Sequence, residues 1–163
     1  MTRRLLLLGI FLGLSAGTAF SQVGLVRDSE TKLVRQAVKI FFDGFAKQDT
    51  SLMMMVTEPG TRLVVTSFSE YDEPVVRPIS MEEFLAFIAR PQEEKIVETY
   101  RNEKVVLHDN LATVWMDYNL WIGDRIDHCG KDSFQLAKDP GGWKIIAIAD
   151  TQRKTGCEPF DKK

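Results

Sequence analysis

Asp117, Asn119, His128 and Asp132 stand on stretches that alternate apolar and polar residues. Side chains two apart on a strand share a face, so these groups converge wherever the strands pair in the right register. A carboxylate beside an imidazole above an apolar floor suits proton abstraction and relay. The same groups also suit the fixing of a polar ligand by hydrogen bonds. Trp115, Trp121 and Phe134 add aromatic contact area, and Arg153 adds a permanent cation. In a catalytic reading Asp117 is the general base, His128 its polariser or relay, and Tyr100 or Asp132 an acid partner. In a binding reading Asp117, Asn119, His128 and Arg153 orient a ligand between the aromatic rings. A purely structural network of Asp117, His128 and Asn119 at the solvated end of a sheet is the third reading.

Three consecutive strands carry these residues. Leu111 to Ile122, Arg125 to Lys138 and Trp143 to Arg153 are separated by the turn signals Gly123-Asp124 and Asp139-Pro140-Gly141-Gly142. Pairing Ile122 with Arg125 sets Asn119 opposite His128, Asp117 opposite Gly130 and Trp115 opposite Asp132. The second hairpin sets Ala149 beside Asp132, Thr151 beside Gly130 and Arg153 beside His128. One face then holds Trp115, Asp117, Asn119, Trp121, His128, Asp132, Thr151 and Arg153, turning apolar through Phe134 and Leu136. The other holds Val114, Met116, Tyr118, Leu120 and Ile148. One β-bulge moves part of this assignment to the opposite face. A sheet apolar on both sides needs cover on both, from helices on one side and a second copy of the chain on the other.

The elements before the meander supply the helices. Between Asp28 and Lys47 the residues Val34, Val38, Phe41 and Phe45 recur at helical spacing, with Lys32, Arg35, Lys39 and Asp43 opposite. Asp28 or Ser29 is placed to cap this helix, and Gly44 weakens it. Asp49-Thr50 starts a short helix over Ser51 to Val56, stopped by Pro59-Gly60. Its Met53, Met54 and Met55 suit an irregular core. Thr61 to Phe68 reads as a strand and Val75 to Ile79 as its hairpin partner, held to the sheet edge by Pro74 and Pro78. Ser80-Met81-Glu82-Glu83 is a capping box before a helix with Phe84, Phe87 and Ile88 on its apolar side. Ile96 to Leu107 is a long strand turned back at His108-Asp109-Asn110.

The first 21 residues read differently. Arg3 and Arg4 precede an apolar run from Leu5 to Leu14, followed by small residues at Ala16, Gly17, Ala19 and Ser21. This is the pattern of a cleaved secretory signal. The run is about half the roughly twenty residues a membrane-spanning helix needs, so no stable membrane anchor is expected. Residues 22–163 then form one domain. Loss of Arg3 and Arg4 moves the formal charge from −2 to −4. With no basic cluster, nucleic-acid binding, which depends on phosphate neutralisation, is not expected.

Cys129 and Cys157 are the two cysteines. In an oxidising compartment they suit a disulfide worth about 3 kcal/mol, since Cys129 faces Gln152 across the hairpin and Cys157 follows five residues later. Two free thiols are the alternative. A zinc site with His108, His128 and both cysteines is disfavoured, because His128 and Cys129 point to opposite sides of their strand. Neither a metal nor a cofactor is expected.

The order of elements, from the Phe41-Phe42-Asp43-Gly44-Phe45 helix to the closing Gly142-Trp143-Lys144-Ile145 strand, resembles the nuclear transport factor 2-like (SnoaL-like) superfamily. More narrowly, Asp127-His128-Cys129-Gly130-Lys131-Asp132 and Ala149-Asp150-Thr151-Gln152-Arg153 resemble the exported branch of that superfamily named for lumazine binding. The resemblance implies an α+β, cone-shaped half-barrel: a strongly curved, mostly antiparallel, cystatin-like sheet wrapped on N-terminal helices, with an internal cavity and dimerisation through the sheet. Members include ketosteroid isomerases, cyclases and dehydratases as well as binding domains, so the fold alone does not select an activity. The reading that follows is an exported domain binding a small molecule or a partner. The alternative is a cofactor-free enzyme with a buried carboxylate base.

Overall fold

The heptad-like recurrence of Val34, Val38, Phe41, Phe42 and Phe45 produces a helix whose buried side is no more than 6% exposed at any of these positions. The computed structural model describes residues 19–160, and of 19–25 the backbone alone. Of the leader-like segment, residues 1–18 lie outside the described residues. Helix α1 spans Ala19–Lys47. Because it begins well before Asp28, neither Asp28 nor Ser29 caps it; Ser29 Oγ instead donates to the Val26 carbonyl at 2.7 Å. Gly44 has a packing reason: a Cβ there would lie 2.7 Å from Met53 Cγ of the next helix. That helix, α2 (Thr50–Met55), is capped by Asp49, whose carboxylate accepts from the backbone N–H groups of Ser51 and Leu52. Of its three methionines only Met53 is core; Met54 and Met55 are exposed.

Strand β1 (Thr57–Phe68) runs through Pro59-Gly60, the expected stop, and its register shifts there. Edge strand β2 (Pro74–Ser80) pairs with it antiparallel. Helix α3 (Met81–Ile88) starts as the capping box requires, with Ser80 Oγ accepting from the Glu83 N–H at 3.0 Å. Strands β3 (Ile96–His108), β4 (Leu111–Ile122), β5 (Arg125–Asp139) and β6 (Gly142–Gln152) complete the sheet. The order is β2-β1-β6-β5-β4-β3, with β1 and β6 parallel and every other pair antiparallel. Helix α1 packs on β3 and β6, and α3 on β1 and β2, so the helices share one face. Between helices and sheet lies the core of Val34, Phe41, Met53, Met116, Phe134, Leu136 and Ile145.

The ends of the meander pair as the turns dictate, Ile122 with Arg125 and Lys138 with Trp143. Two bulges then correct the expected register. On β5, Asp127 is an extra residue between the pairs Trp121–Ile126 and Leu120–His128. On β6, Ile146 is an extra residue between the pairs Gln135–Ala147 and Leu136–Ile145. Asp132 therefore lies beside Met116 and Asp150, not Trp115 and Ala149, and Gly130 faces Tyr118, not Asp117. A one-residue shift exchanges the two faces of a strand, so the single polar face of the sequence reading divides in two. Cys129 likewise pairs with Asn119 and Arg153, the neighbours expected for His128, and not with Gln152. Gly130 is fixed by close approach: a Cβ would sit 1.7 Å from the Thr151 carbonyl oxygen.

Candidate functional site

The concave face, under the helices, encloses a cavity of about 440 Å³. Its roof is aromatic. Phe84 of α3 stacks with Phe41 and Phe45 of α1 at 6.3 and 6.0 Å between ring centroids, and Phe134 meets Phe41 and Phe42 edge-on at 5.7 and 5.5 Å. The exposed lining residues Arg77, Glu83 and Phe87 mark its mouth. Its floor holds three carboxyls from three strands: Glu98 of β3, Asp132 of β5 and Asp150 of β6.

Asp132 is 4% exposed, and its Oδ2 meets no hydrogen-bond donor. The Glu98 carboxyl is its neighbour on the floor, and two acids placed so close do not both ionise. Burial first, then the Glu98 charge, drives Asp132 well above the ordinary carboxyl range. Burial likewise pushes Glu98 up to about 7, although the neighbouring Asp132 carboxyl opposes the shift. Asp150 is raised by burial, and is held back by donors: Gln152 Nε2 reaches Asp150 Oδ2 at 2.9 Å and the Tyr118 hydroxyl at 3.1 Å. The Tyr118 hydroxyl also lies 2.9 Å from the Thr151 carbonyl, and burial with the three carboxyls keeps it protonated. Beside them His128 Nδ1 donates to Asp127 Oδ2 at 2.8 Å, a bond that lowers the Asp127 carboxyl. The His128 ring stands edge-on to Tyr118 at 5.7 Å. Two acids sharing one proton in an aromatic cavity can donate, accept or exchange a hydrogen bond near neutral pH.

Of the residues singled out in the sequence, His128, Asp132 and Phe134 line this cavity. Trp115, Asp117, Asn119, Trp121 and Arg153 do not; they belong to the convex face. Asp117, the expected base, is ion-paired with Lys131, accepts from Asn102 Nδ2 at 2.7 Å and lies 3.9 Å from Arg101. Partial burial raises it, but these donors and charges outweigh burial and hold it below the usual range. Its strand alternation with Tyr118 puts it on the side away from His128. Asn119 is 1% exposed and donates to the Glu158 carbonyl at 2.9 Å. Trp121 Nε1 donates to Thr99 Oγ1 at 3.0 Å, and Trp115 is 46% exposed. Arg153 donates to the Gly156 carbonyl at 3.4 Å. Cys129 and Cys157 are disulfide-bonded with Cα atoms 5.7 Å apart, tying the chain after β6 across this convex face; Phe160 there lies 4.4 Å from the Arg101 guanidinium. Tyr100 is on the concave side, but its ring stacks on Phe42 at 4.7 Å and takes no part in the carboxyl cluster.

Glu98, Tyr118 and Asp150 were missed as site residues. Glu98 had a signal: Ile96, Glu98 and Tyr100 alternate inward on one strand, and an acid between two core residues marks a buried carboxyl. Asp150 had none without the Ile146 bulge. No three His, Cys, Asp or Glu side chains among the described residues converge to hold a metal ion, and no described helix is long and apolar enough to cross a membrane.

No family model matches the chain, and no curated protein matches it. Solved structures do. A nuclear transport factor 2-like protein with a cystatin-like fold from Novosphingobium aromaticivorans is similar at a TM-score of 0.69 and 10% identity, over 88% of this chain and 94% of that one. A protein of unknown function from Shewanella baltica is similar at 0.57 and 13% identity, over 77% and 94%. A provisional dehydratase from Streptomyces avermitilis is similar at 0.56 and 14%, over 77% and 97%. The fold is the α+β nuclear transport factor 2-like fold: N-terminal helices packed on a six-stranded, mostly antiparallel sheet.

Proposed function

We propose that this protein binds a small, largely apolar molecule in the concave cavity, with the ligand's polar end on the Glu98–Asp132–Asp150 floor. The observation that carries this reading is the cavity itself, about 440 Å³ with an aromatic roof and three convergent carboxyls. Binding of the neutral fluorophore N-phenyl-1-naphthylamine tests it. One saturable site is expected, lost in Leu120→Trp, whose indole fills the cavity from a lining position. Equal binding by the variant contradicts the reading.

A second reading, cofactor-free proton transfer, is favoured by Glu98 at about 7 beside a carboxyl that shares its proton. A dehydratase name among the similar structures agrees with it. Deuterium exchange next to the carbonyl of apolar ketones, followed by NMR, checks it: exchange is expected from the wild type and not from Glu98→Gln. Export to an oxidising compartment is supported by the leader-like N-terminus and the Cys129–Cys157 bond. The likeness to the exported branch named for lumazine binding rests on residues that form β5 and β6, the strands of the cavity floor. A homodimer through the convex face is supported by exposed Trp115, Val106 and Leu111.

A further inference from the structure

The charge of the cavity is one-sided. Its lining carries the acids Glu83, Glu98, Asp127, Asp132 and Asp150 against Arg77 and His128. Arg77 is at the mouth, and His128, which acts on Asp150, is engaged by Asp127, so among the described lining residues no lysine or arginine stands at the floor. A buried carboxyl normally finds donors. Asp150 has two, from Tyr118 and Gln152, yet Asp132 Oδ2 has none although the residue is 4% exposed. The missing donor is therefore one that arrives through the cavity. An anion is repelled by the floor, and the spacing of the acids does not suit a metal ion. An ammonium supplies up to three N–H donors and a charge, and the Phe41, Phe45 and Phe84 rings supply faces for the apolar remainder of the molecule.

We propose that the cavity selects a protonated amine carried on an aromatic or aliphatic body, the ammonium seated between Asp132 and Glu98 and donating to Asp132 Oδ2. This rests on the binding reading above and narrows it to one chemical class. Hydrogen bonds to a charged donor are roughly twice as strong as neutral ones, and here the cation also replaces the proton the two acids otherwise share. Binding then releases that proton to solvent. The groups facing the cavity around the pair are Tyr118 of β4, Asp127 and His128 of β5, Asp150 and Gln152 of β6, Arg77 of β2 and Glu83 of α3, while α1 contributes only phenylalanines. Tyr118 stays neutral, so proton release arises at the carboxyls.

The test is calorimetric titration of the disulfide-bonded protein with three matched probes, 4-phenylbutylamine, 4-phenylbutanol and 4-phenylbutyrate. The amine is expected to bind at least tenfold tighter than the alcohol, and the carboxylate weakest. Amine binding is expected to strengthen from pH 6 to 8 and to release protons measurable as a buffer-dependent heat. Asp132→Asn is expected to remove the amine's advantage, so that amine and alcohol bind within about threefold of each other, and the wild-type circular dichroism spectrum of the variant reports that it is folded. If alcohol and amine bind alike to the wild type, the cavity binds apolar molecules without selecting a cation, and the inference fails while the binding reading stands. If none of the three binds, both fail.

Discussion

Asp117 and Asp132 lie on neighbouring strands of one sheet and differ in nearly everything a carboxylate can differ in. Asp117, on the convex face, is surrounded by Lys131, Arg101 and Asn102, and is held ionised. Asp132, on the concave face, meets Glu98 and a bare cavity wall, and is held protonated far above its usual range. The alternation of side chains across a pleated strand separates these environments by the thickness of the backbone. Residue type names a candidate; the side of the sheet decides whether it is a fixed ion of the surface or a group that can exchange a proton.

Breaking the separation itself has the largest effect. Gly130→Ala forces a Cβ into the Thr151 carbonyl between the Asp132–Asp150 and Cys129–Arg153 pairs, and is expected to cost about 3 kcal/mol or more in chemical denaturation. Removing the convex-face tie comes next. Cys157→Ser is expected to cost about 3 kcal/mol while leaving fluorophore binding in the concave cavity unchanged, because the bond spans only the far side.

The protonated face sharpens the contrast through pH. Glu98 binds its proton more tightly folded than unfolded, so between its ordinary 4.5 and about 7 the folded chain holds more protons. Stability is therefore full below pH 4.5 and falls as pH rises through about 7, by on the order of 3 kcal/mol. Thermal unfolding across that window measures it, and Glu98→Gln is expected to flatten the curve. Asp117 carries the opposite sign: its lowered value contributes stability above its unfolded range, lost on acidification. Because the ion pair is partly solvated, Asp117→Asn is expected to cost under about 1 kcal/mol at pH 7.

Much of the fold was legible because its signals are local. The capping box at Ser80, the turns at Gly123-Asp124 and Asp139 to Gly142, and the period of Val34, Val38, Phe41 and Phe45 each specify their own element. The candidate site was legible only in part, since it depends on register far from the turns. His128, Asp132 and Phe134 line the cavity, and the sequence reading set all three on one face. Asp117, Asn119, Trp115, Trp121 and Arg153 were joined to them by a ladder without bulges. The extra residues at Asp127 and Ile146 carry no proline or glycine to announce them. Their cause is tertiary: the sheet must bend around α1 and α3, and bulges bend it. Likewise, that β1 adds to the sheet beside β6 in parallel depends on a crossover no short stretch encodes.

Residue-resolved carbon-13 NMR titration of the aspartate and glutamate carboxyls tests the central claim most directly. Glu98 is predicted to titrate near pH 7 and Asp132 well above the ordinary carboxylate range, while Asp117 and Asp127 titrate below that range. If all four instead titrate together near pH 4, the concave carboxyls are ordinary solvated acids and the cavity has no poised proton to offer a ligand.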